Sequence, residues 1–150
     1  MKTSSLKMHH TGLLQWLSYR TLKAFHNPIL TKYHITRTEW KLLGMVADEG
    51  ELRVTEIAER LGVRTPLVTR MVKTLLQKEN ITINLHPRDK RVKCINITAN
   101  GKKRLAQIEK DIQKNLGVLL RSIPSKKIEI YEEVLAIIVR NGKALRKILD

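Results

Sequence analysis

Apolar positions recur with a helical period at both ends of the chain and with a period of two in one short stretch between them. Leu13, Leu14, Leu17, Ala24 and Phe25 stand at approximate helical spacing, which predicts a first helix from about Met8 that Pro28 interrupts or ends near Lys32. Thr36-Arg37-Thr38-Glu39 then reads as a capping box, in which Thr36 accepts from the third helical amide and Glu39 reaches back to the Thr36 amide. A second helix runs from there to about Asp48. Gly50 breaks it, and Val54, Ile57, Ala58 and Leu61 form the i, i+3, i+4, i+7 stripe of a short third helix ending at Gly62.

Thr65-Pro66 marks the next helix start, with Thr65 as the cap and Pro66 at the first helical position, where a missing N–H removes no helical bond. Val68, Met71, Val72, Leu75 and Leu76 make one apolar face; Pro66, Thr69, Arg70 and Lys73 make the opposite one, small and cationic. Helix, tight turn at Gly62-Val63-Arg64, helix is the helix-turn-helix arrangement, with the second helix as the reader. After Asn80 the period changes. Ile81 to His86 alternates, Val92 to Ile97 is rich in β-branched residues, and Pro87-Arg88-Asp89-Lys90-Arg91 between them is a hairpin tip. Leu105, Ile108, Ile112, Leu116, Leu119 and Leu120 mark a long helix after Thr98. Pro124 opens the last one, whose stripe is Ile128, Tyr131, Val134, Leu135, Ile138, Leu145 and Ile148.

Charge turns this pattern into a function class. Arg60 to Arg104 carries 12 Lys or Arg against 2 acids, so +10 of the chain's formal +15 lies in the helix-turn-helix and hairpin segment. Such a block calls for a polyanion, and the simplest is the phosphate backbone of nucleic acid. All six aromatic residues lie outside Lys41 to Ile130, so the basic segment has no stacking faces for single strands or RNA loops. Double-stranded DNA is the expected partner. Asp89 stands among the tip cations, where its expected use is to hold a neighbouring guanidinium, that of Arg91 first, by a charge-assisted pair. The Thr69 hydroxyl has two open uses, a bond to DNA or one back to its own helix.

Four runs in order carry a family resemblance: Glu56-Ile57-Ala58, Arg64-Thr65-Pro66-Leu67-Val68-Thr69-Arg70, Asp89-Lys90-Arg91 and Ile97-Thr98-Ala99-Asn100-Gly101. Together they resemble the MarR family of winged helix-turn-helix transcriptional regulators, over about Ile35 to Leu105. The resemblance implies a mainly α fold, a winged helix-turn-helix core with a two-stranded β wing flanked by N- and C-terminal dimerisation helices. It also implies a homodimer that places two recognition helices in successive major grooves and two wings in flanking minor grooves. By this resemblance Arg64, Thr65, Pro66, Thr69, Arg70, Lys73, Arg88, Lys90 and Arg91 face DNA, with Asp89 supporting the wing. An effector pocket is implied between the arms and the DNA-binding lobe, where Trp16, Tyr19, Arg20 and Trp40 would hold a small aromatic or anionic molecule. Two positions depart from the family. Asn80 replaces a glycine after the recognition helix and is expected to take the left-handed conformation there; Asn84 replaces an Arg on the first wing strand and removes a phosphate contact.

These observations set an expected division into an N-terminal dimerisation helix over 1–34, a DNA-binding lobe over 35–104 and C-terminal dimerisation helices over 105–150, in one structural domain. The flanking helices carry more apolar surface than a small winged-helix core covers, which predicts a two-fold dimer and a palindromic operator. The expected activity is sequence-specific regulation of transcription that blocks or tunes a promoter, with release by an effector; the alternative is an architectural or weakly specific DNA binder without effector control. No Ser/His/Asp or Cys/His pair, glycine-rich phosphate loop or carboxylate pair points to an enzyme. No cofactor is expected. His9, His10, His26, His34 and His86 lack ligand spacing, so no metal site is expected, and the lone thiol, Cys94, reads as a small structural residue on a wing strand. No apolar run reaches the roughly 18 residues of a membrane span, and the expected location is the cytoplasm.

Overall fold

The computed structural model describes residues 7–86 and 89–149, with 145–149 as backbone. Nine elements follow in the order α1 (Met8–Lys32), α2 (Arg37–Glu49), β1 (Leu52–Arg53), α3 (Val54–Leu61), α4 (Thr65–Gln77), β2 (Ile81–His86), β3 (Asp89–Ile97), α5 (Ala99–Leu119) and α6 (Ser125–Leu149). The chain divides into two compact units at Gln113/Lys114. In the first, the buried side chains of Leu42, Leu43, Val46, Ile57, Val68, Leu75, Ile81, Ile95 and Ile108 join α2, α3, α4, the sheet and α5 in one core. In the second, α6 leaves Ile130, Tyr131, Val134, Ile138 and Val139 exposed.

The helix starts follow local chemistry. The Thr36 amide donates to Glu39 Oε2 at 2.8 Å and the Glu39 amide donates to Thr36 Oγ1 at 3.2 Å, which is the reciprocal capping box the sequence announces. α1 runs unbroken through Pro28 to Lys32 and is not interrupted there. Both Pro28 and Ala24, whose carbonyl the missing N–H would have reached, are exposed, so solvent can take over that bond. α4 begins one residue earlier than Thr65-Pro66 suggests. Arg64 occupies the cap without a side-chain bond, its carbonyl accepting from the Leu67 and Val68 amides, and Thr65 is already helical.

Three helices stop in the same way. At the end of α3 the Gly62 amide donates to Glu59 O and the Val63 amide to Ala58 O, with Gly62 left-handed at φ 64°. This pair of bonds is the Schellman closure, which satisfies terminal carbonyls at the cost of one positive φ. α1 closes on His34 (φ 48°), with bonds to Thr31 O and Leu30 O, and α4 closes on Glu79 (φ 55°), with bonds to Leu76 O and Leu75 O. The left-handed residue after α4 is therefore Glu79, not Asn80. Asn80 takes the following position and is fully buried.

The sheet has the order β1-β3-β2, all antiparallel. β1 is a two-residue strand with no legible period; Leu52 pairs with Ile95 and Arg53 with Cys94. β2 and β3 form the expected hairpin, Ile81 opposite Ile97 and Ile83 opposite Ile95, with a register shift between Leu85 and His86 near the tip. Cys94 is buried on the central strand, and that burial pushes its thiol above the ordinary range.

The sheet, α4 and α5 meet at one junction. The Thr98 amide donates to Asn80 O at 3.0 Å, the Thr98 hydroxyl donates to Glu79 O at 2.7 Å, and the Gly101 amide donates to that same hydroxyl oxygen at 2.9 Å. Residue 101 has to be glycine, since a Cβ there would overlap the Asn80 carbonyl and the Ile97 side chain. Gly44, inside α2, has open space around its missing Cβ. Two opposite outcomes are expected in urea melts of otherwise identical proteins. Gly101→Ala should lower stability by about 1–3 kcal/mol, the range for forcing atoms into a packed site; Gly44→Ala should raise it by about 0.5–1 kcal/mol.

Candidate nucleic-acid interface

α3 and α4 are held by the Gly62 stop and by the buried Ile57, Ala58, Val68, Met71, Val72 and Leu75, so the outer face of α4 is fixed relative to the core. On that face Pro66, Thr69, Arg70 and Lys73 are all exposed, as are Arg64 and Thr65 at the start of the helix. Thr69 Oγ1 donates to Thr65 O at 3.1 Å, so its proton is committed to the helix and its lone pairs remain to accept. Leu76 is not on the buried face. It is 41% exposed.

A cleft of about 640 Å³ separates α4 from the wing hairpin β2-β3. Val72, Leu76, Ile83, Val92 and Ile95 line it with apolar surface, while Arg53, Lys73, Arg91 and Lys93 add four cations. Helix reader and wing thus flank one cation-edged furrow. Arg53 and Lys93 are the residues that sequence reasoning missed: Lys93 was countable within the basic block, but Arg53 reaches this edge only through the short β1 pairing.

At the described part of the wing tip, Asp89, Lys90 and Arg91 are exposed; Arg88 lies outside the described residues. Asp89 Oδ1 accepts from the backbone amide of Arg91 at 3.0 Å. That is an Asx turn, and it corrects the expected pairing with the Arg91 guanidinium: no ion pair between the two is found among the described residues. The amide two residues on is the nearest donor a short carboxylate reaches. Asp89 therefore fixes the backbone that aims Arg91, and the guanidinium stays available.

The residues expected around an effector fall into separate contacts. Arg20 lies over the Trp16 ring at 4.6 Å, and Tyr19 Oη receives Arg37 Nη1 at 3.5 Å, which lowers the Tyr19 pKa. Trp16 and Tyr19 are exposed. Trp40 instead donates from Nε1 to Glu109 Oε1 at 2.7 Å and meets the His26 ring edge-on at 5.3 Å. No hydrogen bond or ring contact among the described residues joins Trp40 to the other three. Nor does any group of three or more His, Cys, Asp or Glu suited to a metal ion gather among the described residues. No helix described is long and apolar enough to cross a membrane.

The fold has counterparts among known proteins. Residues 35–93 match the model of the MarR family. The HTH-type transcriptional regulator FarR of Neisseria gonorrhoeae is 24% identical over 135 residues, 89% of this chain and 90% of FarR. Among solved structures, NadR in complex with 4-hydroxyphenylacetate superposes with a TM-score of 0.75 at 21% identity, covering 92% of this chain and 94% of that one. Wild-type apo MarR from E. coli superposes with 0.71 at 21% identity, covering 85% and 95%. The chain has the winged helix-turn-helix fold, and over residues 35–93 it is similar to the MarR family of transcriptional regulators.

His26 provides a check on the packing around Trp40. Burial, aided by the Arg37 charge, lowers its pKa below the ordinary value, so the folded state resists a proton that the unfolded chain accepts. Stability should be whole above about pH 6.5 and fall as pH drops through that value, because there the unfolded state binds more protons. His26→Phe, which keeps a ring against Trp40, should show a smaller fall in Tm between about pH 7.5 and 5.5 than the unmodified protein; equal falls would contradict this account of His26.

Proposed function

We propose that the protein acts as a homodimer that occupies a palindromic operator and represses or tunes a promoter, with release by a small aromatic or anionic effector. The observation that carries this reading is the exposed Pro66, Thr69, Arg70 and Lys73 strip standing across one cation-edged furrow from Arg91. A helix enters the major groove and a basic hairpin tip reaches the adjacent minor groove, so the sugar-phosphate strand between the grooves lies over the furrow. Arg64, Thr65, Pro66, Thr69, Arg70 and Lys73 read the major groove and its phosphates; Arg88, Lys90 and Arg91 serve the wing, with Asp89 holding its backbone.

Dimerisation is supported by apolar surface left bare. Leu13, Leu14, Trp16, Leu17 and Tyr19 are exposed along α1, and Ile130, Tyr131, Val134, Leu135, Ile138 and Val139 along α6. A two-fold partner covers such faces and sets two readers about 34 Å apart, one turn of DNA. In this reading residues 1–34 and 105–150 are the dimerisation segments and 35–104 the DNA-binding lobe. Trp16, Tyr19, Arg20 and Trp40 hold the effector. The stacked Trp16–Arg20 pair presents an aromatic face and a cation together, and the NadR structure contains an aromatic acid at the level of fold resemblance.

Sedimentation at micromolar concentration should show a dimer, and a stable monomer would overturn the two-fold reading. On an operator selected from random duplexes, Arg70→Ala should lose about 1–3 kcal/mol of binding while changing random-sequence affinity little. Arg91→Ala should instead flatten the slope of log affinity against log salt by about one on both duplexes. Small, equal effects of both variants on operator and random DNA would favour the architectural alternative.

A further inference from the structure

A second cleft, of about 420 Å³, lies where the end of α1 meets the start of α5. Lys32, Tyr33 and His34 form one wall; Asn100, Lys103 and Arg104 form the other. Its size falls within the range of small-ligand sites, about 300–1,000 Å³. Its lining is dominated by donors. The carboxylate of Asp111 nearby is already engaged, bridged to Lys32 Nζ at 2.7 Å and receiving Tyr33 Oη at 3.0 Å. Lys103 and Arg104 take part in no ion pair among those of the described residues.

Arg104 is the informative side chain. One terminal nitrogen donates to the Tyr33 carbonyl, which fixes the plane of the guanidinium, yet its Nε–H is buried and has no acceptor in the structure. That N–H is closed off from solvent, so what Arg104 offers the cleft is the charge of its guanidinium. Arg104 therefore does more than solvate the start of α5.

The position separates this cleft from the DNA interface. Lys78, at the C-terminal end of α4, donates to His34 O at 2.6 Å, so the cleft adjoins the opposite end of α4 from Pro66 and Thr69. A 13-residue helix is about 20 Å long, too far for one DNA strand to touch both ends of α4 through the same groove contact. We infer that this cleft is a binding site for a small phosphate-bearing molecule, held by Lys103 and Arg104 with the Asn100 amide and His34 imidazole beside them. A phosphate monoester carries about −1.5 to −2 charge and three acceptor oxygens, which matches two cations outside any ion pair better than a single carboxylate does.

The test is titration calorimetry of inorganic phosphate into the full chain without DNA, at constant ionic strength set with chloride. Lys103→Gln removes a lining cation, and Lys110→Gln makes the same charge change at an exposed residue farther along α5, outside the cleft. The unmodified chain and Lys110→Gln should bind one phosphate per chain, and Lys103→Gln about tenfold more weakly, the loss of one charge-assisted contact. Arg104→Gln, which removes the second lining cation, should also weaken binding. Identical isotherms for Lys103→Gln and Lys110→Gln, or no saturable binding to the unmodified chain, would overturn the inference. Because no DNA is present, either result leaves the operator reading untouched.

Discussion

The Asn80 carbonyl is the point on which the geometry of the DNA-binding lobe depends. It accepts from Thr98 and lies so close to residue 101 that only a glycine fits, and the Thr98 hydroxyl joins the last turn of α4 to the first turn of α5. Helix reader, wing strand and long helix thus meet through backbone groups and one side chain. Backbone junctions of this kind leave little freedom: α4 cannot tilt against β3 without breaking a bond or forcing a Cα–H into a carbonyl. The buried Leu75, Ile81 and Ile95 fill the space beneath, so the furrow between α4 and the wing keeps its width in the folded lobe.

Charge then acts on a fixed frame. The cations Arg53, Lys73, Arg91 and Lys93 line the furrow together with the apolar Val72, Leu76, Ile83, Val92 and Ile95. In the proposed function, phosphate attraction supplies affinity and its salt dependence, whereas the small residues Pro66 and Thr69 let Arg70 approach base edges. Asp89 gives up some of that attraction to order the wing backbone through the Arg91 amide.

Much of this was legible in the sequence because the relevant signals are local. The Thr36 capping box, the Gly62 stop, the α4 stripe and the period-two hairpin each rest on residues within a few positions of one another. What escaped was set by the fold. β1 is two residues long and exists only because β3 offers it a partner. His34 and Glu79 take left-handed turns that their side chains do not advertise, and the second of these displaced the expected role of Asn80 by one residue. Leu76 fits the helical stripe yet faces the furrow, since a stripe records spacing and not the place where the covering element ends. The Asp89 contact was assigned to the wrong donor because an Arg side chain and an Arg amide are indistinguishable in a sequence. Arg53 was missed for the same reason as β1, and the paired donors at Arg104 depend on a helix end 71 residues away in the chain.

Hydroxyl-radical footprinting on a selected operator examines the joint presentation of helix and wing most directly. Two protected tracts related by a two-fold axis should appear, centred about 10–10.5 base pairs apart, each with protection continuing into the flanking minor groove where the wing tip lies. A single tract, or uniform protection without a centre of symmetry, would contradict the account.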